Sequence, residues 1–342
     1  MRKIILPVLA ALALVSCEKW INPRPAPTSE NVIVSGMLTK NTHWHHDTIY
    51  EMAGKVVVDS GVVLSIDAGT TILARDGQGS LSSALIVARG GKIMAEGTAE
   101  EPIIFTSIYA ESVDLDESDM GLWGGIVILG NSIISADAVP ANIEGIPVNE
   151  SFGLYGGNNP SDNSGVLKYV SIRHAGTLLG DGNELNGLTL GGVGSGTTID
   201  QIEVVANLDD GIEFFGGNVN ASNLLVWAQG DDAFDIDQGY SGTITNYVNV
   251  EGADSDHALE IDGGEGSDNP AFRLGDSEMG GGTLISLDGV EIHFRDYANG
   301  SVMFIGQANV SADSGTVVSV DTLVGADLDV FEWTFTHSKG KL

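Results

Sequence analysis

Acidic residues recur at fixed spacing in the second half of the chain, and their types and positions point to chemistry. Asp209-Asp210-Gly211-Ile212-Glu213-Phe214 returns 22 residues later as Asp231-Asp232-Ala233-Phe234-Asp235-Ile236. It returns again, 25 further on, as Asp256-His257-Ala258-Leu259-Glu260-Ile261, and Asn186-Gly187-Leu188-Thr189-Leu190 reads as an earlier copy. Stacked in register, the copies place Glu213, Asp235 and Glu260 in one outward row. Asp237 and Asp262 form a second row, with Phe215 in the matching position below. Asp209, Asp231 and Asp256 then lie at the turn beside Asp210, Asp232 and His257, although Asp254 competes with Asp256 for the third place. Like charges stacked across strands repel. At about 5 Å each pair costs roughly 1 kcal/mol in water and about 3 kcal/mol at an effective dielectric near 20. A hard cation such as Ca²⁺, which takes six to eight oxygens, would offset that repulsion. Its ligands would come from Glu213, Asp235, Asp237, Glu260 and Asp262. The alternative is a solvated, salt-screened face whose Asp side chains cap turns.

Other groups invite shorter readings. His43, His45 and His46 form a run near the start of the fold. On a strand His43 and His45 share one face, which suits Zn²⁺ or Cu²⁺, or simply makes a polar cap. His174, at a strand end, reads as structural packing. Trp44, Trp123, Trp227, Trp333 and Tyr240 are candidates for sugar-stacking platforms or for interior packing. The glycine-rich run Gly191–Gly196 opens no helix and no Lys follows it, so it does not read as a phosphate loop. The single cysteine excludes an intramolecular disulfide and any multi-cysteine metal site.

The elements that must carry these groups are strands. Ile212 and Phe214 alternate with Glu213, Phe234 and Ile236 with Asp235, and Leu259 and Ile261 with Glu260. That is period two. Each copy follows a short β-rich run (Tyr169–Ile172, Ile202–Val205, Leu224–Trp227 and Tyr247–Val250), and Gly, Asn and Asp turns join them. Leu64, Ile66, Gly69, Ile72 and Ala74 also recur 21 residues later as Leu85, Val87, Gly90, Ile93 and Ala95. The fold class expected is all-β, a right-handed parallel β-helix of roughly 12 coils at most, with loop insertions. A β-sandwich does not explain the copy-to-copy register. Residues 107–120, 133–165, 176–186 and 263–282 break the period and read as loops, where function often sits.

The 342 residues carry 47 acidic against 15 basic side chains, a formal net charge of −32. Such a field repels phosphate backbones, which argues against nucleic acid as a partner. Arg2 and Lys3 precede an apolar run to Val15, too short to span a bilayer, and Leu14-Val15-Ser16-Cys17 resembles a bacterial lipobox. The expected organisation is a lipoprotein signal peptide over 1–16 and a lipidated, Pro-rich tether over 17–31. A single β-helix domain follows over 32–342. Cys17 is the lipidation site, the membrane is a partner through that lipid, and the location is the outer membrane or cell surface.

The run from Ala84 to Ser107, Gly121–Gly130, Tyr169–His174, Asp209–Gly217 and Gly230–Tyr240 resemble a family of Bacteroidetes cell-surface right-handed β-helix (pectin-lyase-like) proteins, many of them lipoproteins. The resemblance covers nearly the whole mature chain and implies fold and surface display more than activity. A second likeness is sharper. Asn207-Leu208-Asp209, Gly230-Asp231-Asp232, His257 and Arg295 follow the motif order of polygalacturonase-type glycoside hydrolases. That likeness implies Asp232 as general acid and Asp209 with Asp231 activating water, in an inverting reaction. The chain departs from the pattern at Asp210, at the residues flanking His257, and around Arg295, which lacks a partner Lys. The leading expectation is therefore non-catalytic binding or adhesion to an extracellular ligand, most naturally a polysaccharide. A hydrolase, a Ca²⁺-dependent lyase using Lys168, Arg173 or Arg295 as base, and a surface scaffold are the alternatives.

Overall fold

A computed structural model describes residues 31–77, 81–177, 185–262 and 325–342, together with Gly264 and the stretches 277–280, 282–285, 292–295, 301–305 and 317–321. All described strands but two short ones, Ala141–Asn142 and Leu154–Tyr155, belong to one continuous parallel ladder. The chain is a parallel β-helix with three strand-bearing sides per coil.

On the first side, Leu64 stands opposite Ile93, Leu167 opposite Ile199, and Ala221 opposite Ile244. On the second, Val170 is followed by Ile202, Leu224 and Tyr247. On the third, Val56 is followed by Leu85, Ile126, Leu188, Ile212, Phe234 and Leu259. These rows point inward and are almost completely buried, so the core is a set of stacked apolar columns. Alternate residues face out, as period two requires.

From the strand Gly165–Arg173 onward, the first and second sides meet at a corner one residue wide. Tyr169, Gln201, Asn223 and Asn246 occupy it with φ of 49°, 57°, 54° and 58°. Asn tolerates this left-handed region better than most residues. The column is tied together outside: Asn246 Nδ2 donates to Asn223 Oδ1 at 2.7 Å, and Asn223 Nδ2 to Asp200 Oδ1 at 2.7 Å.

The acidic copies stack as the sequence indicates, with Glu213 opposite both Thr189 and Asp235, and Asp235 opposite Glu260. The 21-residue repeat does not mark a coil. Leu64 lies on the first side and pairs with Ile93, whereas Leu85 lies on the third and pairs with Val56 and Ile126. Gly69 turns the first side into the second and Gly90 turns the third into the first, so the match joins two different corners less than one full turn apart.

Among the described residues, the stretches 133–165 and 326–342 lie over the outside. Within 133–165, Ile134, Ile143, Ile146 and Tyr155 pack on the outward Val57, Ile86, Val127 and Leu129 of the third side. That segment, read as a loop, is a cover. At the other end, the 3₁₀ turn Leu328–Phe331 and the helical turn Phe335–Ser338 lie against Val205, Leu225, Trp227 and Val250 of the second side. Thr336 donates through both its N–H and its hydroxyl to the buried Glu203, at 2.8 and 2.7 Å. The end of the expected 32–342 domain is therefore a strap across the coils rather than another coil. Ser277–Gly280, inside a stretch read as a loop, is a strand paired with Thr243–Thr245.

Candidate acidic groove and carboxyl ladder

The turn between the second and third sides brings the acidic copies together. Asn207, fully buried, ties the first turn by donating from Nδ2 to the Asp210 carbonyl at 2.6 Å. The next turn sits directly on it, with Gly230 N–H donating to the Asn207 carbonyl at 2.8 Å. Only glycine fits there, because a Cβ on Gly230 would lie 2.1 Å from the Leu208 carbonyl oxygen. Asp256 N–H donates to the Asp231 carbonyl at 3.0 Å. Asp256, not Asp254, is thus the third copy in register.

Within each turn the two successive positions, Asp-Asp in the first two copies and Asp256-His257 in the third, have opposite surroundings. The first faces out: Asp209 is half-buried, and Asp231 and Asp256 are exposed. They line an open depression of about 490 Å³ with Leu208, Gly230, Asp254 and Ser255. The second faces the ladder and is sealed. Asp210 Oδ1 accepts the Asp232 N–H at 2.9 Å, and Asp232 Oδ1 accepts the His257 N–H at 2.8 Å. These two carboxyls are staples, each holding the backbone of the next coil. His257 Nδ1 stands 2.8 Å from the same Asp232 oxygen and 3.6 Å from Asp256 Oδ2. Asp232 itself is only 1% exposed.

The outward row is not a solvated face. Glu213 is 5% exposed and Glu260 9%. Asn186 Nδ2 donates to Glu213 Oε2. Burial, then the neighbouring Asp235 and Asp210, push the Glu213 carboxyl well above its ordinary pKa. Burial and Asp235 do the same to Asp210. Burial, Asp237 and Glu260 do so to Asp235. Burial and the adjoining Glu260 push Asp232 up to about 10. Upward shifts of this kind favour the protonated forms, which weakens the repulsion that the sequence implies. A cation is the other solution, and the donor set fits one. Carboxylate oxygens of Asp210, Glu213 and Asp235 lie within 4.8 Å of one another, and Asp235 Oδ1 is buried with no hydrogen-bond donor. An all-oxygen set of this kind suits a hard ion.

Residues 36–293 match the family model of the pectate-lyase-like β-helix domain. The chain belongs to that family. No curated protein and no solved structure matches it.

The pectate-lyase-like β-helix domain brings some of the predicted residues together and separates others. Asp209, Asp231, Asp232 and His257 share one turn stack, but Asp232 and His257 do not line the depression that Asp209 and Asp231 open into. Arg295 stands opposite Asp262, at the far end of the third-side strand. That position is three residues, about 10 Å, beyond the strand start that follows the acidic turn. Lys168 is paired with Asp200 at 3.1 Å, and Arg173 donates to Ser171 Oγ with its guanidinium 4.3 Å from the Phe335 ring centroid. Neither serves the acidic turn as a base. Trp44, Trp123, Trp227 and Tyr240 are buried, and the half-buried Trp333 packs edge-on against Tyr169 on the second side. None of these aromatic rings lines the groove. His174 is structural: buried, with Nδ1 2.8 Å from the Asp119 carbonyl and its pKa lowered by burial to about 4. Cys17 lies outside the described residues.

The sequence places Asp210 at the turn, in the acidic repeat and as a departure from the hydrolase pattern, without assigning it a role. Its role as a staple was signalled by its repetition: Asp210 and Asp232 share a register position, and His257 takes the third with its backbone N–H.

Proposed function

We propose that this protein is a lipid-anchored, surface-displayed β-helix that binds an extracellular polysaccharide along the Asp209–Asp231–Asp256 groove without cleaving it. The observation that carries the reading is the split within each acidic turn. The outer carboxylates form an accessible column at one per coil, roughly 4.8 Å apart, while Asp232, the acid a hydrolase would need, is sealed against His257 and the ladder. Exposed carboxylates accept hydrogen bonds from sugar hydroxyls, and Leu208, 38% exposed, offers an apolar contact for the face of a ring. The net charge of −32 favours a neutral glycan over a polyuronate. Cys17 supplies the anchor and residues 17–31 the tether. Ca²⁺ in the ladder, held by Asp210, Glu213 and Asp235 with Asp237, Glu260 and Asp262 around them, would supply the positive charge that otherwise comes from protons.

The test is retention of the chain on immobilised neutral and acidic polysaccharides, with Ca²⁺ and with chelator. Retention on a neutral glycan that is lost in Asp231→Asn and Asp256→Asn supports the reading. Retention on none of the panel overturns it and leaves the scaffold role. A hydrolase is the second reading, favoured by one feature: burial and Glu260 push the Asp232 carboxyl up to about 10, the direction a general acid requires.

A further inference from the structure

The first coil carries a cluster unrelated to the acidic groove. The strand Thr42–Trp44 pairs with Val63–Ile66, with His43 opposite Ser65 and Trp44 opposite Ile66. Trp44 points into the core, so His43 and His45, one residue to either side, point out. Asp67 follows directly on the neighbouring strand and is fixed there by its N–H donating to the Trp44 carbonyl at 3.0 Å. Its carboxylate receives both histidines. His43 Nε2 is 2.6 Å from Oδ1, and His45 Nδ1 is 3.2 Å from Oδ2. His46 Nδ1 stands 4.0 Å from Oδ2.

The backbone beneath is rigid. Trp44 is buried and stacked on Tyr50, ring centroids 5.0 Å apart and 18° from parallel. The Tyr50 hydroxyl accepts the His45 N–H at 2.9 Å. The histidines are thus held by a core anchor between them and a hydrogen bond behind them.

We propose that His43, His45 and Asp67 form a binding site for a borderline transition-metal ion, Zn²⁺ or Cu²⁺, at the N-terminal end of the β-helix. One donor atom from each residue lies within 4.8 Å of the others. Two ligands each about 2.05 Å from a tetrahedral ion stand roughly 3.3 Å apart, so the side chains need only small adjustments to admit one. Two imidazoles and a carboxylate suit Zn²⁺ or Cu²⁺ over Ca²⁺ or Mg²⁺, which prefer all-oxygen sets. Three protein ligands leave a fourth position for water or for His46. The ion would cross-link the first-side strand to its neighbour in the next coil and so secure the end of the stack.

The experiment is calorimetric titration of the chelator-stripped chain with Zn²⁺, with Co²⁺ as a visible-absorption probe and melting temperature as a second readout. The expected result is one tight Zn²⁺ per chain, a Co²⁺ spectrum of low-coordinate nitrogen–oxygen ligation, and a melting temperature raised by Zn²⁺. The double variant His43→Gln/His45→Gln, confined to exposed side chains, should melt like the metal-free wild type. It should lose affinity by more than the roughly 10- to 100-fold that removal of an outer-shell partner brings. Asp67→Asn should weaken binding less, and His257→Gln should leave it unchanged. No stoichiometric Zn²⁺ binding overturns the proposal. So does Zn²⁺ affinity that survives in the double variant or disappears in His257→Gln.

Discussion

The two halves of the third side share a backbone and differ in what their outward row carries. In the first half the row is Val57, Ile86 and Val127, buried beneath Ile134, Ile143 and Ile146. In the second it passes through Thr189 to Glu213, Asp235 and Glu260. The parallel ladder runs unbroken through both. Main-chain pairing therefore does not choose the side chain; what covers the row does. Burying a Val or Ile stabilises by about 1.5–3 kcal/mol. A buried carboxyl is tolerated only when neutralised or paired. The apolar half is a second core outside the coil, and the acidic half is a row of buried or half-buried carboxyls whose pKa values are raised by burial and by one another.

The largest expected effect comes from giving the apolar half the chemistry of the acidic half. Val127→Asp places a carboxylate under the 133–165 cover without a donor such as the Asn186 amide that Glu213 has. It should cost roughly 4 kcal/mol or more, read as a fall in the denaturant midpoint. Asp235→Asn in the acidic half should leave that midpoint unchanged or raise it, because it removes a buried ionisable group.

Next is the staple. Asp210→Ala leaves the Asp232 N–H without its acceptor and should cost about 1–3 kcal/mol. Asp210→Asn keeps an acceptor oxygen and should restore most of the loss.

The third effect is pH dependence. The folded pKa of Asp232 is raised to about 10, above its unfolded value of about 3.9. The folded state therefore binds more protons between those limits. The stabilisation is fully present below about pH 4 and is lost as pH rises toward 10. The melting temperature should fall from pH 5 to pH 8, one such group giving a limiting slope of about 1.4 kcal/mol per pH unit. The fall should be shallower in Asp232→Asn, and Ca²⁺ should raise the melting temperature more at pH 8 than at pH 5. A flat profile in chelator would mean that the ladder does not store protons.

The smallest effect on stability belongs to the outer column. Asp231→Asn should change it by no more than about 0.5 kcal/mol, since the side chain is exposed. Its effect should appear in polysaccharide retention alone.

Much of this was legible in the sequence, and what was not has a physical reason. Alternation around Glu213, Asp235 and Glu260 gave both the strands and their register, because side chains on a coil must alternate. The same alternation could not say whether outward means exposed. That depends on covers from distant sequence: 133–165 over Val127, and Phe331 and Phe335 over Val205 and Trp227. The 21-residue match of Leu64 with Leu85 misled because the Gly69 and Gly90 turns, at two different corners of one coil, are flanked by similar apolar strands. Within the candidate site, residue types located the turn stack. They could not distinguish Asp231, open to solvent, from Asp232, one residue on and sealed; that difference is set by where the next coil's N–H groups point.

The most direct measurement of the central claim is product release. Wild type and Asp232→Asn would be incubated with neutral and acidic polysaccharides, in Ca²⁺ and in chelator, and both reducing ends and unsaturated products followed. The account predicts no product from either protein, with retention on a neutral glycan intact in Asp232→Asn and lost in Asp231→Asn. Release of reducing ends by wild type, abolished in Asp232→Asn, would contradict it and make the sealed carboxyl a catalytic acid.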